Sequence, residues 1–228
     1  MQWATATRAS TMQMNELLHL LAAARVEYAT FGQLYRRAGG PVADQASTAT
    51  ADTRTMRIAE YQPSMMPGLV QTASYARELL SLPCGPSAFG ASTEDIEAIV
   101  GERIKRQDVL YQPGKKIQLV LGEAALHTRF GPPETLLGQL DRLVAVAGLA
   151  GVELGVVPFS APLPMFPLTG FVLYDNVVLI ESIVGQQRLE AADEVALYER
   201  FFDQFRHAAA TGQEAVALIQ RIATELSG

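Results

Sequence analysis

The spacing of apolar residues changes at Pro113-Gly114, and that change narrows the folds open to the chain more than any other feature. Before it, hydrophobic side chains recur at three- and four-residue intervals, the signature of helices with one buried face. After it, Lys116-Ile-Gln-Leu-Val-Leu121 and Val152-Glu-Leu-Gly-Val-Val157 are short extended runs, and Gly170–Tyr174 and Val177–Ile183 flank Asp175-Asn176 as a two-residue hairpin turn would. Helical periods are expected over residues 14–38, 42–60, 72–82, 92–111, 134–147, 191–210 and 213–226, with a helical turn at Glu123–His127. Pro63 and Pro67 forbid a continuous helix over Tyr61–Gly68, and Pro158, Pro162, Pro164 and Pro167 mark a second loop. The expected architecture is α+β, mainly helical, with one small four-stranded, largely antiparallel sheet. Residues 1–40 read as an N-terminal helical linker or dimerisation segment and 41–228 as the α+β domain.

Composition supports a folded domain. Of 228 residues, 49% are hydrophobic and 18% charged, enough apolar material for a core. Apolar runs such as Val144–Ala150 are too short to span a bilayer, and the first residues lack the pattern of a secretory leader, so a cytoplasmic protein without membrane contact is expected. A lone cysteine, Cys84, excludes an internal disulfide framework and a multi-thiolate zinc site, so no metal or cofactor is expected. A net charge of −6 opposes binding to phosphate backbones, so specific DNA binding by the chain alone is not expected.

Few residues announce chemistry. Glu123 and His127, four apart on a helical turn after a strand, form an acid–base pair or a plain ion pair. Glu181 interrupts an apolar strand. There it serves either as a carboxylate projecting into a cavity or as a structural ion-pair member, with Arg103, Arg106 and Arg129 as candidate partners. Glu102-Arg-Ile-Lys-Arg-Gln107 reads as a solvated helix face with Glu102 and Arg106 paired. Met65-Met66 and Phe159, Met165 and Phe166 suit an apolar pocket or the cover of a core edge.

Several short motifs occur in a recognisable order: Pro67-Gly-Leu-Val-Gln-Thr72 with Tyr75-Ala-Arg77, Glu102-Arg with Arg106-Gln107, and Leu121-Gly-Glu-Ala-Ala-Leu126 with Gly131. Gln139-Leu140, Val156-Val-Pro-Phe159, Gly170-Phe171 and Glu181 follow. Together, over roughly residues 28–220, they resemble an actinobacterial domain of unknown function that normally follows a Cro/repressor-type (XRE-family) helix-turn-helix in Streptomyces-type regulators. His127 stands where that family commonly has arginine, and Val70 replaces leucine. The helix-turn-helix is not among the matched motifs, and residues 15–37 resemble the segment that links it to the domain. The resemblance implies a ligand-sensing or effector-binding domain of a regulator-like protein, acting on a small molecule as a homodimer or with a separate regulatory protein. Gln71, Tyr75, Glu123, His127, Arg129, Phe159, Phe171 and Glu181 are the expected ligand-binding residues. Two other readings stay open: a protein-interaction module, and an enzyme of specialised metabolism using Glu123, His127 and Glu181.

Overall fold

The computed structural model describes residues 10–16, 26–163, 165–166 and 168–228. Its elements in chain order begin with β1 (Val26–Thr30), α1 (Phe31–Ala38), α2 (Pro41–Arg54) and β2 (Arg57–Gln62). Then come α3 (Ala73–Leu80), α4 (Thr93–Lys105), β3 (Lys116–Gly122), α5 (Glu123–His127), α6 (Pro133–Ala147) and β4 (Val152–Val157). The chain continues through β5 (Phe171–Tyr174), β6 (Val177–Glu181), β7 (Gly185–Leu189), α7 (Ala192–Ala208), β8 (Ala210–Thr211) and α8 (Gly212–Ser227). Three 3-10 turns, Gly68–Val70, Pro86–Phe89 and Arg106–Tyr111, join the helices between β2 and β3.

The sheet has eight strands in the order β1-β7-β6-β5-β2-β3-β4-β8, which corrects the expectation of a small four-stranded, largely antiparallel one. It is mixed: β2, β3 and β4 run parallel and the remaining pairs are antiparallel. Four strands escape the sequence pattern for identifiable reasons. Arg57-Ile-Ala-Glu-Tyr-Gln62 follows an Ala/Thr-rich helix and carries a glutamate and a glutamine, so it extends the helical reading of 42–60 although α2 stops at Arg54. Gly185-Gln-Gln-Arg-Leu189 has no β-branched or aromatic residue. Ala210–Thr211 is two residues long. Val26–Thr30 lies inside the helical period expected over 14–38, yet it pairs with β7 and so joins the sheet. Leu17, Leu18, Leu20, Leu21 and Ala24, on which that helical expectation rests, fall outside the described residues.

Because β2, β3 and β4 are parallel, the chain must cross over between them, and both crossovers lie on one face of the sheet. On that face Ile58, Ile117, Leu119, Leu121, Leu154 and Val156 meet Leu136, Leu140 and Leu143 of α6 and Ala215, Ile219 and Ile222 of α8. On the other face Ala59, Tyr61, Phe171, Leu173 and Val178 meet Phe202 and Phe205 of α7, with the Tyr61 and Phe205 rings stacked at 3.8 Å. The alternation of β2 therefore sends Ile58, Glu60 and Gln62 to the crossover face. The expected hairpin is present, with Asp175 at φ 46°, and its carboxylate accepts hydrogen bonds from the Met56 and Arg57 amides at 3.1 and 2.9 Å.

Candidate functional site

The segment from Met66 to Gln71 is a largely buried loop, and its backbone polar groups must find partners away from water. Side-chain amides supply them. Gln71 Nε2 donates to the Met66 carbonyl at 2.7 Å, Gln107 Nε2 to the Gln71 carbonyl at 2.6 Å and Gln139 Nε2 to the Val70 carbonyl at 2.8 Å. The Thr72 amide donates to Gln139 Oε1, and the Met66 amide to the Tyr75 hydroxyl. Thr72 also caps α3, accepting from the Tyr75 amide at 3.2 Å. Gly68 lets two arginines approach: a β-carbon there would come within 3.1 Å of Arg106 Nη2. Two motifs thirty residues apart in the chain thus meet on this loop.

Arg103 and Arg106 lead from the loop to a polar cluster that includes Asp52, Glu60 and Tyr174 on the crossover face of β2 and β5. Arg103 Nε and Nη2 both donate to the single Oε1 of Gln45, at 3.2 and 3.0 Å, and Nη1 donates to Gln71 Oε1 at 2.8 Å. Among the described residues no carboxylate is within ion-pair distance of it. Burial, aided by the like charge of Arg106, lowers its pKa to about 10. Arg106 contacts Asp52, which is fully buried, at 3.1 Å without the alignment of a hydrogen bond. Burial raises the Asp52 pKa against the pull of Arg106, and raises that of Tyr174, beside it, well above its ordinary value.

Glu60 belongs to the same cluster. It is 7% exposed, accepts one hydrogen bond from Gln62 Nε2 at 3.0 Å, and has no cation in contact among the described residues. Burial pushes its pKa up to about 7. Asp44 on α2 and Glu181 at the end of β6 complete the acidic side, and burial followed by the charge of Glu181 raises Asp44 as well. Tyr35 of α1 has its pKa raised to about 12 by burial and then by Asp44 and Glu181. It bounds a shallow surface depression of about 410 Å³ with Gly39, Pro41 and Phe89.

A second cluster sits where the parallel strands end. Glu123, buried at the start of α5, accepts from the Phe159 amide at 2.6 Å, and its other oxygen lies 3.7 Å from His127 Nε2 and 3.6 Å from Arg221 Nη2. The His127 and Phe159 rings stack at 5.8 Å. Gly122, just before, has no room for a side chain, since a β-carbon would meet the Pro63 carbonyl oxygen at 2.5 Å. This clasp holds the first residues of the Pro-rich loop.

The expected site residues are therefore divided. Glu123, His127 and Phe159 form the clasp, while Gln71 is buried against Arg103 and Tyr75 lies beneath the loop. Phe171 is in the core on the opposite face of the sheet, and Arg129 is exposed. Glu181 is exposed and accepts a long 3.4 Å hydrogen bond from Gln186; it has no ion pair with Arg103, Arg106 or Arg129. It stands on β6, three strand positions from β3 and hence about 14 Å from the clasp. Glu123, His127 and Glu181 do not converge on one centre. The expected Glu102–Arg106 pair is also replaced: Glu102 pairs with Lys105 at 2.7 Å. Gln45, Asp52, Glu60, Arg103 and Arg106 were not expected to meet; the signal for two of them is the i,i+3 spacing of Arg103 and Arg106 on one helix face.

No curated protein matches the chain. Among solved structures it is similar to TrmBL2, an archaeal chromatin protein described with a novel mode of DNA binding. That match has 14% identity and TM-score 0.40 over 92% of this chain, which spans 64% of the length of TrmBL2. It is also similar to NucT from Helicobacter pylori, with 8% identity and TM-score 0.43 over 82% of this chain and 99% of that one. Nuc from Salmonella typhimurium, a phospholipase D family member, gives 10% identity and TM-score 0.41 over 82% and 96%. The model of one protein family matches residues 45–221, from within α2 into α8, a range that includes Gln45, Asp52, Glu60, Arg103 and Arg106 and the Glu123 clasp but not Tyr35 or Asp44; the chain belongs to this domain of unknown function, DUF5753.

Proposed function

We propose that the domain is the ligand-sensing part of a transcriptional-regulator-like protein and that its small-molecule effector binds at the polar cluster that holds Arg103 and Glu60. The observation that carries this reading is a buried carboxylate, Glu60, and a partly buried guanidinium, Arg103, neither of which has an oppositely charged group in contact among the described residues. Burying such groups costs several kcal/mol each unless a partner compensates, and a ligand is the partner that the fold leaves out. The regulator reading draws on the motifs that resemble actinobacterial domains following an XRE-type helix-turn-helix. In it the domain works in the cytoplasm as a homodimer or with a separate regulatory protein, and does not itself select an operator sequence.

Native mass spectrometry and thermal melts, with and without the deproteinised small-molecule fraction of the cells that make the protein, test it. The expected result is a co-bound small molecule, or a rise in melting temperature with that fraction, lost in Arg103→Met. A protein that carries nothing and melts identically with the fraction overturns the reading.

A further inference from the structure

A single apolar side chain in water needs no explanation, but several gathered in one place do. Among the described residues, Phe159, Leu163, Phe166, Leu168, Ile183 and Val184 are all exposed, Phe166 and Leu168 by 85% and 82%. The strand directions bring them to one end of the sheet. β2, β3 and β4 are parallel, and two antiparallel steps through β5 make β6 parallel to them. The stretch from Phe159 to Leu168 runs from the carboxyl end of β4 to the start of β5, and Ile183 and Val184 turn from the carboxyl end of β6 into β7. Along that end β4 and β7 stand five strand spacings, about 24 Å, apart. The stretch is anchored beneath: Ala161 and Met165 pack onto the core under α7, and the clasp takes the Phe159 amide and stacks its ring on His127, while 69% of Phe159 stays open to water.

Together the six leave roughly 750 Å² open to water, against about 800 Å² that each partner gives to a standard-size protein interface. Residues 158–170 and 182–184 contain no charged side chain, and Glu181 is the acid at their border. A nucleic acid or an anionic membrane would call for lysines and arginines here. An uncharged apolar strip needs no complementary charges and matches a second copy of itself about a twofold axis. We propose that this end of the sheet is the surface through which two copies of the chain associate, with Phe159 and Leu163 of one copy lying toward Ile183 and Val184 of the second. A homodimer is one of the two assemblies that the regulator reading allows, and its formation does not depend on the effector.

Sedimentation equilibrium of the whole chain between about 1 and 100 µM tests the interface, and a dimer with a dissociation constant of about 10 µM or tighter is expected. Phe166→Lys and Ile183→Lys, on opposite halves of the strip, are each expected to weaken it by about 100-fold or more while the circular dichroism spectrum of the folded chain is retained. Met56→Lys, at an exposed apolar position by the amino end of β2, is expected to leave the dimer as it was. A chain that is monomeric at about 100 µM overturns the proposal. A dimer indifferent to both strip variants has its interface elsewhere and overturns it too. Flotation of the chain with vesicles of phosphatidylcholine and phosphatidylglycerol, lost in Phe166→Lys, makes a lipid surface the occupant and overturns it as well. None of these outcomes touches the co-bound small molecule or the melting shift that decides the effector reading.

Discussion

The crossover face of the sheet is made of two different materials on the two sides of β2. Over β3 and β4 the helices α6 and α8 meet the strands through Leu119, Leu121, Leu140, Leu143 and Ile219, all essentially without exposure. Toward β5 and β6 the same face meets its helical layer through Glu60, Arg103, Asp52, Arg106 and Tyr174. The first arrangement stabilises the fold by removing apolar surface from water, at about 25 cal/mol per Å². The second leaves charged groups where a packed apolar interior would be as stable or more so. One continuous sheet thus carries an apolar half and a polar half on the same face.

The sharpest break of this contrast is Arg106→Met, which strands Asp52 in the interior. Urea unfolding at pH 8 is expected to lose about 3–5 kcal/mol, and Asp52→Asn in addition to recover part of it. On the apolar side, Leu140→Ala is expected to cost about 2–5 kcal/mol in the same assay, with no change in its pH dependence. Glu60→Gln moves stability the other way. The folded pKa of Glu60 lies near 7, above its ordinary value of 4.5, so the folded state binds the extra proton and stability falls as pH rises from 4.5 through 7. The substitution is expected to flatten that fall and to add up to about 3 kcal/mol at pH 8. A flat pH profile in the unsubstituted protein over this window would place Glu60 in water and dissolve the contrast. Thr72→Ala, which removes the cap of α3 at the border of the two halves, is expected to cost about 1 kcal/mol. Smallest of all, Arg77→Ala breaks an exposed, solvent-screened pair with Glu97 and is expected to leave the urea midpoint unchanged within error.

The two halves were also unequally legible. Lys116–Leu121 and Val152–Val157 carry mostly apolar runs, each interrupted by one polar residue, Gln118 and Glu153, because parallel strands are covered on both faces, and their observed bounds follow the sequence closely. β2 lies just as centrally, but Glu60 and Gln62 face the polar part of the crossover side and break the run, so these two residues hide the strand. β7 is polar for the related reason that Gln186 and Arg188 are half-exposed. Glu123, His127 and Phe159 meet because local spacing and one motif place them at the ends of adjacent strands. The polar cluster draws Gln45, Glu60 and Arg103 from three elements, and no spacing along the chain encodes that. Glu181 was legible as an odd residue in its strand, but not as an exposed one, because it occupies the last position of β6, where alternation no longer fixes burial.

The pairing of β1 with β7 has a mechanical side. Five successive residues, Val26 to Thr30, are matched antiparallel to Leu189 through Gly185, and the amide of Phe31 continues onto the Val184 carbonyl. A tug on the chain at Val26 along the strand direction loads these bonds together, in shear. A tug at right angles opens them singly, beginning at Val26 and Leu189, as a zip opens. The edge of the sheet is thus stiff to a pull in one direction and compliant in the other, and the angle at which the preceding chain arrives decides which of the two it meets.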